Sequence, residues 1–209
     1  MARAATSLES AIGLLELDSI AIGVVCGDAM VKSSPVAIHT GTVHPGRYLV
    51  LVSGDAATVG VALEVGLDAG GDAVVDSVFL ADVHPDVIEA LVGSHDHTAE
   101  GRGEAVAVVE TATVAAAVDA ADAGVKAAAV DLATLRMADG LGGKGYLVFA
   151  GSVAEAEAAL QAAAERLEVG GQLLRTALIA QLSDEMRRDL AADLRFGARV
   201  ASEHRGPVD

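Results

Sequence analysis

The chain has 209 residues, and its 14 basic and 30 acidic side chains give a formal net charge of −16, a sign that repels phosphate and argues against a nucleic-acid partner. Hydrophobic residues make up 52% of the sequence and aromatic residues only 2%, which predicts a folded chain with an aliphatic core rather than an acidic disordered one. A single cysteine, Cys26, a short polar start and apolar runs interrupted by charges favour a cytoplasmic protein with no membrane partner.

Apolar periodicity, caps and turn residues predict the elements of the first half. In chain order these are a strand over 11–17, a helix from Ser19 to near Ser33, strands at about 36–43 and 47–53, a helix from Asp55 to Gly70-Gly71, a strand over 73–80 and a short helix capped by His84-Pro85. The two middle strands flank a His-Pro-Gly turn, which predicts a hairpin.

The second half repeats this pattern. Residues 11–38 align without gaps on 105–132, with DAMVK opposite DAGVK and Glu16 opposite Glu110. Later segments of the repeat include a capping box, a Gly-Gly helix end, a strand over 172–180 and a short helix after Ser183-Asp184. The predicted organisation is a tail (1–10), a domain (11–92), a polar linker (93–104), a second domain (105–192) and a poorly ordered tail (193–209).

Each repeat therefore has the order β-α-β-β-α-β with a terminal helix. This order predicts the α/β class (α+β), with two tandem ferredoxin-like split βαβ domains whose helices lie on one face of a sheet. The fold alone does not indicate a chemistry.

The sequence itself also resembles a known family. The strings AIGLLELDSIA, GDAMVKSSPV, HPGRYLVLVSGDAATV, DSVFLADVHPDVIEAL, VVETATVAAAVDAADAGVKAAAVDL and MADGLGGKGYLVFAGSVAEAEAA are similar to bacterial microcompartment shell proteins, in the tandem-domain trimeric branch of the propanediol-utilisation type. The resemblance covers roughly 11–192. It implies a pseudo-hexameric homotrimer in the shell of a cytoplasmic microcompartment, with a central pore for small molecules. The partners it implies are other shell proteins (hexamers and pentamers), with which the trimer tiles, and enclosed enzymes.

The resemblance also assigns positions at the edge of the disc. Its helix-end lysine, which meets a neighbouring disc in relatives, corresponds to Lys32 and Lys126. A second edge motif of relatives often has arginine where this chain has Asp82 and Gln181, so altered edge contacts are expected, and His84 lies beside them. Without the family, both lysines are ordinary cations near a helix C-terminus.

By the same resemblance, the loops between the second and third strands of each domain line the pore. The implied pore-lining residues are Gly41, Thr42, Val43, His44, Pro45, Gly46, Asp139, Gly140, Leu141, Gly142 and Gly143. Some relatives bind an iron–sulfur cluster through a cysteine at the position of His44. Histidine replaces it here, so no such cluster and no other cofactor is expected. Three copies of His44 either give the pore a charge that rises as the pH falls or, as a less favoured alternative, bind Zn²⁺.

Other motifs predict no chemistry. The second loop contains G-x-G-x-x-G (Gly140, Gly142, Gly145), but a strand follows it instead of the helix that a dinucleotide site requires. His95 and His97 are solvated residues of the linker on this interpretation, and Cys26 is a buried hydrophobe. Glu16 and Glu110 are expected to make structural hydrogen bonds. With no catalytic set, an enzyme is disfavoured, and the main alternative to a shell protein is a tandem ferredoxin-like regulatory module that binds a small molecule.

Overall fold

A computed structural model describes residues 8–43, 46–92, 103–138 and 141–191 of the chain. Most of the predicted N-terminal tail and of the linker, the whole predicted C-terminal tail, and the loop residues His44, Pro45, Asp139 and Gly140 lie outside the described residues.

Both domains contain the predicted elements. The first comprises β1 (Ala11–Leu17), α1 (Ile20–Ser33), β2 (Ala37–Val43), β3 (Arg47–Gly54), α2 (Ala56–Gly70), a 3-10 turn (Gly71–Ala73), β4 (Val74–Leu80) and α3 (Pro85–Leu91). The second comprises β5 (Ala105–Thr111), α4 (Val114–Ala127), β6 (Asp131–Met137), β7 (Gly145–Gly151), α5 (Val153–Glu168), β8 (Leu173–Ile179) and α6 (Asp184–Ala191).

The two sheets have the same topology. Their strand orders are β2-β3-β1-β4 and β6-β7-β5-β8, and every pairing is antiparallel. The registers of β1 and β5 both shift just before their last residue. This arrangement confirms the predicted ferredoxin-like fold in duplicate.

The predicted caps begin the helices as expected. The Ser19 side chain accepts a hydrogen bond from the Ile22 amide, and the Ser152 and Glu155 side chains form a complete capping box. Asp55 caps α2 by accepting bonds from the Ala57 and Thr58 amides. The Thr58 hydroxyl and these amides hold the pKa of the Asp55 carboxyl below its usual value. Local chemistry therefore accounts for the helix starts.

One apolar cluster spans both domains, beside a separate core of the first domain. All seven residues of β1 are buried, although the strand alternates between two environments. Leu15 and Leu17 point into the core of the first domain, whereas Ile12 and Leu14 belong to a cluster that contains much of α4. The outer face of the first sheet is thus covered by a helix of the second domain, which the sequence did not predict.

Inside each domain the repeats place one large core side chain differently. In the first domain Met30 of α1 packs over Gly66, where an added Cβ would lie 2.7 Å from the Met30 sulfur. In the second domain the position of Met30 is Gly124, and the ring of Phe149 occupies the space that a Cβ at Gly124 would need. The methionine of DAMVK and the glycine of DAGVK therefore belong to two different ways of filling the same part of the core.

This packing predicts that Gly124→Met overfills the second domain. We expect the substitution to lower the free energy of unfolding by about 3 kcal/mol, the upper part of the range for overpacked cores. Carrying the first-domain trio across, as Gly124→Met/Phe149→Val/Ala163→Gly, is expected to recover at least half of the loss because the strand residue then makes room. Urea denaturation measures both. Equal destabilisation by the single and triple variants would contradict the account.

Candidate functional site: the loop rim and the domain interface

The first candidate loop joins β2 to β3, as the predicted hairpin requires. Gly41, Thr42 and Val43 belong to β2 and pair with β3, so the connection is limited to residues 44–46. Gly46 has a φ of +91° and its amide donates to the Val43 carbonyl at 3.0 Å. That left-handed conformation is one that glycine adopts readily. His44, the predicted metal or pore residue, lies outside the described residues.

The described part of the second candidate loop, Ala138 and Leu141–Lys144, is held by hydrogen bonds of its own backbone. Leu141 donates to the carbonyl of Ala138 at 2.9 Å, and Gly142 and Gly143 have φ values of +66° and +90°. The strand β7 begins at Gly145, so no helix follows the glycines. This geometry agrees with the prediction that the G-x-G-x-x-G pattern here is a hairpin loop.

A single arginine joins the two loops. Arg47, the first residue of β3, donates from Nη1 to the Gly143 carbonyl at 3.2 Å. The same nitrogen forms an ion pair with Glu16. The chain therefore brings the loops of both domains to one place, which we call the loop rim (Gly46 and Leu141–Gly143). Sequence reasoning missed Arg47, because nothing local shows that it faces the other domain.

Behind the loop rim, Glu16 joins the two domains. Its side chain is fully buried, and Oε2 accepts hydrogen bonds from the amides of Val114 at 2.8 Å and Ala115 at 3.3 Å. These amides are the free donors at the start of α4, where the helix dipole also favours a carboxylate. The predicted structural hydrogen bonding of Glu16 is confirmed, and its partner is a helix of the second domain.

Glu110 stands at the equivalent position in the second domain but in a different environment. Its side chain is 42% exposed and one carboxylate oxygen lies 3.6 Å from Lys144 Nζ. Lys144 aligns with Arg47, so the ion pair at the end of the first strand is kept in both domains. Among the residues that the structure describes, no helix start lies beside Glu110 as α4 lies beside Glu16.

Three of the five predicted edge residues meet across the domain boundary. Lys126 Nζ donates to the Asp82 carbonyl and pairs with Asp122, the aspartate four residues earlier on α4. The His84 amide donates to Asp122 Oδ1 at 2.8 Å. The His84 ring caps α3 by accepting from the Asp86 amide, as predicted for His84-Pro85.

The other two predicted edge residues are not brought together within the chain. Lys32 lies on the exposed side of α1 and pairs with Asp28. Gln181 lies in the exposed turn that follows β8. The two lysines, which align in the repeat, therefore differ in their contacts: Lys126 donates to the other domain, whereas Lys32 pairs with Asp28 of its own helix.

Within the described residues, the shifted pKa values do not indicate a reactive centre. Burial raises the pKa of the Cys26 thiol, which lowers its nucleophilicity at neutral pH, and burial likewise raises the pKa of Tyr146. Among the residues that the structure describes, no group of three His, Cys, Asp or Glu side chains is placed to hold a metal ion. In the same part of the chain, no helix is long and apolar enough to span a membrane.

An open cleft of about 570 Å³ lies between β4 and the pair of helices α4 and α5. Its charged lining includes Asp76, Asp119, Glu165 and Arg166. Arg166 Nε donates to both carboxylate oxygens of Asp119, at 2.8 and 3.0 Å. The guanidinium of this cleft is therefore already paired.

Comparison with known proteins identifies the family of this arrangement. The BMC domain family matches residues 11–83 and 105–182. The chain is 39% identical over 184 residues to the bacterial microcompartment shell protein PduT of Citrobacter freundii, a match that covers 88% of this chain and 98% of that protein.

Solved structures agree with the sequence match. A microcompartment protein of Desulfitobacterium hafniense is 32% identical, with a TM-score of 0.74 over 86% of this chain and 99% of that one. A fused permuted hexameric shell protein of the RMM microcompartment is 25% identical, with a TM-score of 0.57 over 76% of this chain and 83% of its own. The chain therefore belongs to the BMC-domain family of bacterial microcompartment shell proteins, as a member with two such domains in one polypeptide.

Proposed function

We propose that three copies of this shell protein form a pseudo-hexameric disc that tiles with other shell proteins and has a central pore for small molecules. The observation that carries the proposal is the loop rim, where Arg47 bonds to Gly143 and holds the loops of both domains at one place. A ring of three chains would then present six such loops around one axis. The family membership of both domains supports the same arrangement.

The pore of this disc carries His44 by analogy of position with the loop residue of relatives. Three copies of an imidazole gain positive charge as the pH falls through the histidine range, which favours the passage of anions. A three-histidine Zn²⁺ site is the less favoured use of the same residue. Histidine in place of the thiolates that hold iron–sulfur clusters supports a pore without such a cluster.

The function proposed is structural and diffusive rather than catalytic. The relatives named above are shell and microcompartment proteins, and burial raises the pKa of the Cys26 thiol, which lowers its nucleophilicity at neutral pH. The regulatory alternative has no relative among the proteins named above. Hexameric and pentameric shell proteins and enclosed enzymes are the partners proposed for the disc.

Sedimentation velocity and electron microscopy of the purified chain test the proposal. We expect a particle of about 63 kDa, three times the chain mass of 20.9 kDa, whose averaged images show threefold symmetry and a hexagonal outline. Concentrated protein is expected to form sheets of such particles. A stable monomer, or particles of another symmetry, would overturn the trimeric disc.

A further inference from the structure

The helices α1 and α4 are equivalent in the repeat, but the face of α4 that points away from its own sheet is covered by the other domain, whereas the same face of α1 is exposed. Three residues on one face of α1, Ile20, Val24 and Val31, are 46%, 56% and 39% exposed. Their counterparts on α4, Val114, Val118 and Val125, are 0%, 0% and 7% exposed. The first domain covers the face of α4, and the same apolar face of α1, which we call the α1 face (Ile20, Val24 and Val31), is left open.

The surface that would cover the α1 face is open at the other end of the chain. In the first domain Leu80 of β4 and Val87 of α3 pack into the cluster that contains α4, at 7% and 0% exposure. Their counterparts in the second domain, Ile179 of β8 and Met186 of α6, are 37% and 48% exposed. We call this second surface the β8 edge (Glu110, Arg175, Ile179 and Met186).

The polar groups repeat the same asymmetry. Glu16 is fully buried against the amides that begin α4, whereas Glu110 on the β8 edge is 42% exposed and, in the described part of the chain, caps no helix. The aspartate Asp122, which accepts from the His84 amide, is 6% exposed, whereas its counterpart Asp28 on α1 is 59% exposed. Each half of the internal interface thus has an equivalent surface that is more exposed. The two exposed surfaces are complementary to each other.

One pair of charges is exchanged between the two interfaces. In the first domain Asp76 accepts a hydrogen bond from Thr113, the N-cap of α4. On the β8 edge the residue equivalent to Asp76 is Arg175, and the residue before the N-cap of α1 is Asp18, where the second domain has Ala112. Arg175 facing Asp18 is favourable, whereas Asp76 facing Asp18 is repulsive. The exchange selects contact between unlike domains over contact between like ones.

From these four observations we infer that the α1 face of one chain docks on the β8 edge of a second copy, with Glu110 at the start of α1 as Glu16 is at the start of α4. The inference rests on the proposed trimer and names its contact surfaces. Such a contact joins two different surfaces, so it is heterologous, and repeated head to tail it closes a ring. The apolar and charged parts of the contact then match those already present between the two domains.

Sedimentation velocity over a concentration series tests this inference with variants of both surfaces. Val24→Asp places a charge in the apolar contact, and Glu110→Ala removes the carboxylate that would meet the α1 amides. We expect each to raise the dissociation constant of the trimer at least about tenfold. Val61→Asp and Glu157→Ala, which change exposed residues of α2 and α5 outside both surfaces, are the matched controls and are expected to remain trimeric. Circular dichroism checks that all four variants fold.

Charge reversal gives a second, independent readout. Asp18→Arg alone is expected to weaken the trimer, and Asp18→Arg/Arg175→Asp to restore it to within about threefold of the wild type. A wild-type trimer that Val24→Asp and Glu110→Ala leave intact would overturn the inference and leave the proposed function standing. A wild-type chain that sediments as a monomer at every concentration would overturn both.

Discussion

Replacing Glu16 by alanine is expected to lower the free energy of unfolding by about 3–5 kcal/mol, the cost of removing one partner of a buried ion pair. The substitution leaves the Arg47 guanidinium without its carboxylate and the first amides of α4 without their acceptor. Glu16→Gln keeps an oxygen that can accept from one of these amides, so its cost is expected to be smaller. Urea denaturation followed by circular dichroism measures both values.

The equivalent glutamate of the second domain is the matched control. In the Val24→Asp background, which removes the inferred contact between copies, Glu110→Ala is expected to change the free energy of unfolding by less than about 0.5 kcal/mol, as is typical of exposed residues. The two glutamates align, lie near the end of equivalent strands and pair with a basic residue at, or just before, the start of the strand beside them in the sheet. Similar losses at the two positions would show that the interdomain hydrogen bonds of Glu16 do not carry its effect.

The fold could be predicted because its signals are local and are repeated. Ser19, Asp55 and the Ser152–Glu155 box mark helix starts through bonds made within one turn. The bounds predicted for five strands, β1 to β4 and β8, agree with the structure to within one residue at each end. Duplication helped as well, because an ambiguous apolar run in one domain could be checked against its counterpart in the other.

The environment of each repeat could not be predicted in this way. Glu16 and Glu110 occupy equivalent positions on equivalent strands, but only Glu16 is buried, since burial depends on which surfaces of the folded domains meet. Lys32 and Lys126 also align in the repeat. Lys126 nevertheless bonds to the Asp82 carbonyl of the other domain, whereas Lys32 pairs with Asp28 of its own helix. Sequence alignment detects the repeat and not its contacts.

The covered and uncovered surfaces have one explanation in common. In a chain of two repeated domains, the contact between domains forms once. The first domain then keeps one half of that contact surface exposed, and the second domain keeps the other half exposed. The apolar α1 face and the β8 edge are these open halves, and their exposure costs the isolated chain the hydrophobic free energy that assembly would recover. The composition fits this interpretation, because small Ala residues on α4 allow its close approach to the first sheet.

Replacing Lys32 is expected to change the tiling of discs without changing the stability of the chain, whereas replacing Lys126 is expected to change both. The ion pair of Lys32 with Asp28 is solvent-exposed, and such pairs contribute little to stability. Lys32→Ala is therefore expected to leave the thermal unfolding of the chain unchanged while it abolishes the sheets seen by electron microscopy. Lys32→Arg, which keeps the charge at the disc edge, is the control and is expected to retain partial sheets.

Lys126→Ala is expected to lose sheets and also about 1–2 kcal/mol of folding free energy. Its ammonium donates to the Asp82 carbonyl across the domain boundary and neutralises Asp122, whose side chain is almost completely buried. Removing the cation leaves that carboxylate with the His84 amide as a remaining partner. Sedimentation of the same samples separates the two effects, because a loss of sheets at constant trimer content locates the lysine at the edge of the disc.

Sheets that persist in the Lys32→Ala/Lys126→Ala double variant would remove the tiling role from both residues. The contacts between discs would then have to involve other residues of their rims.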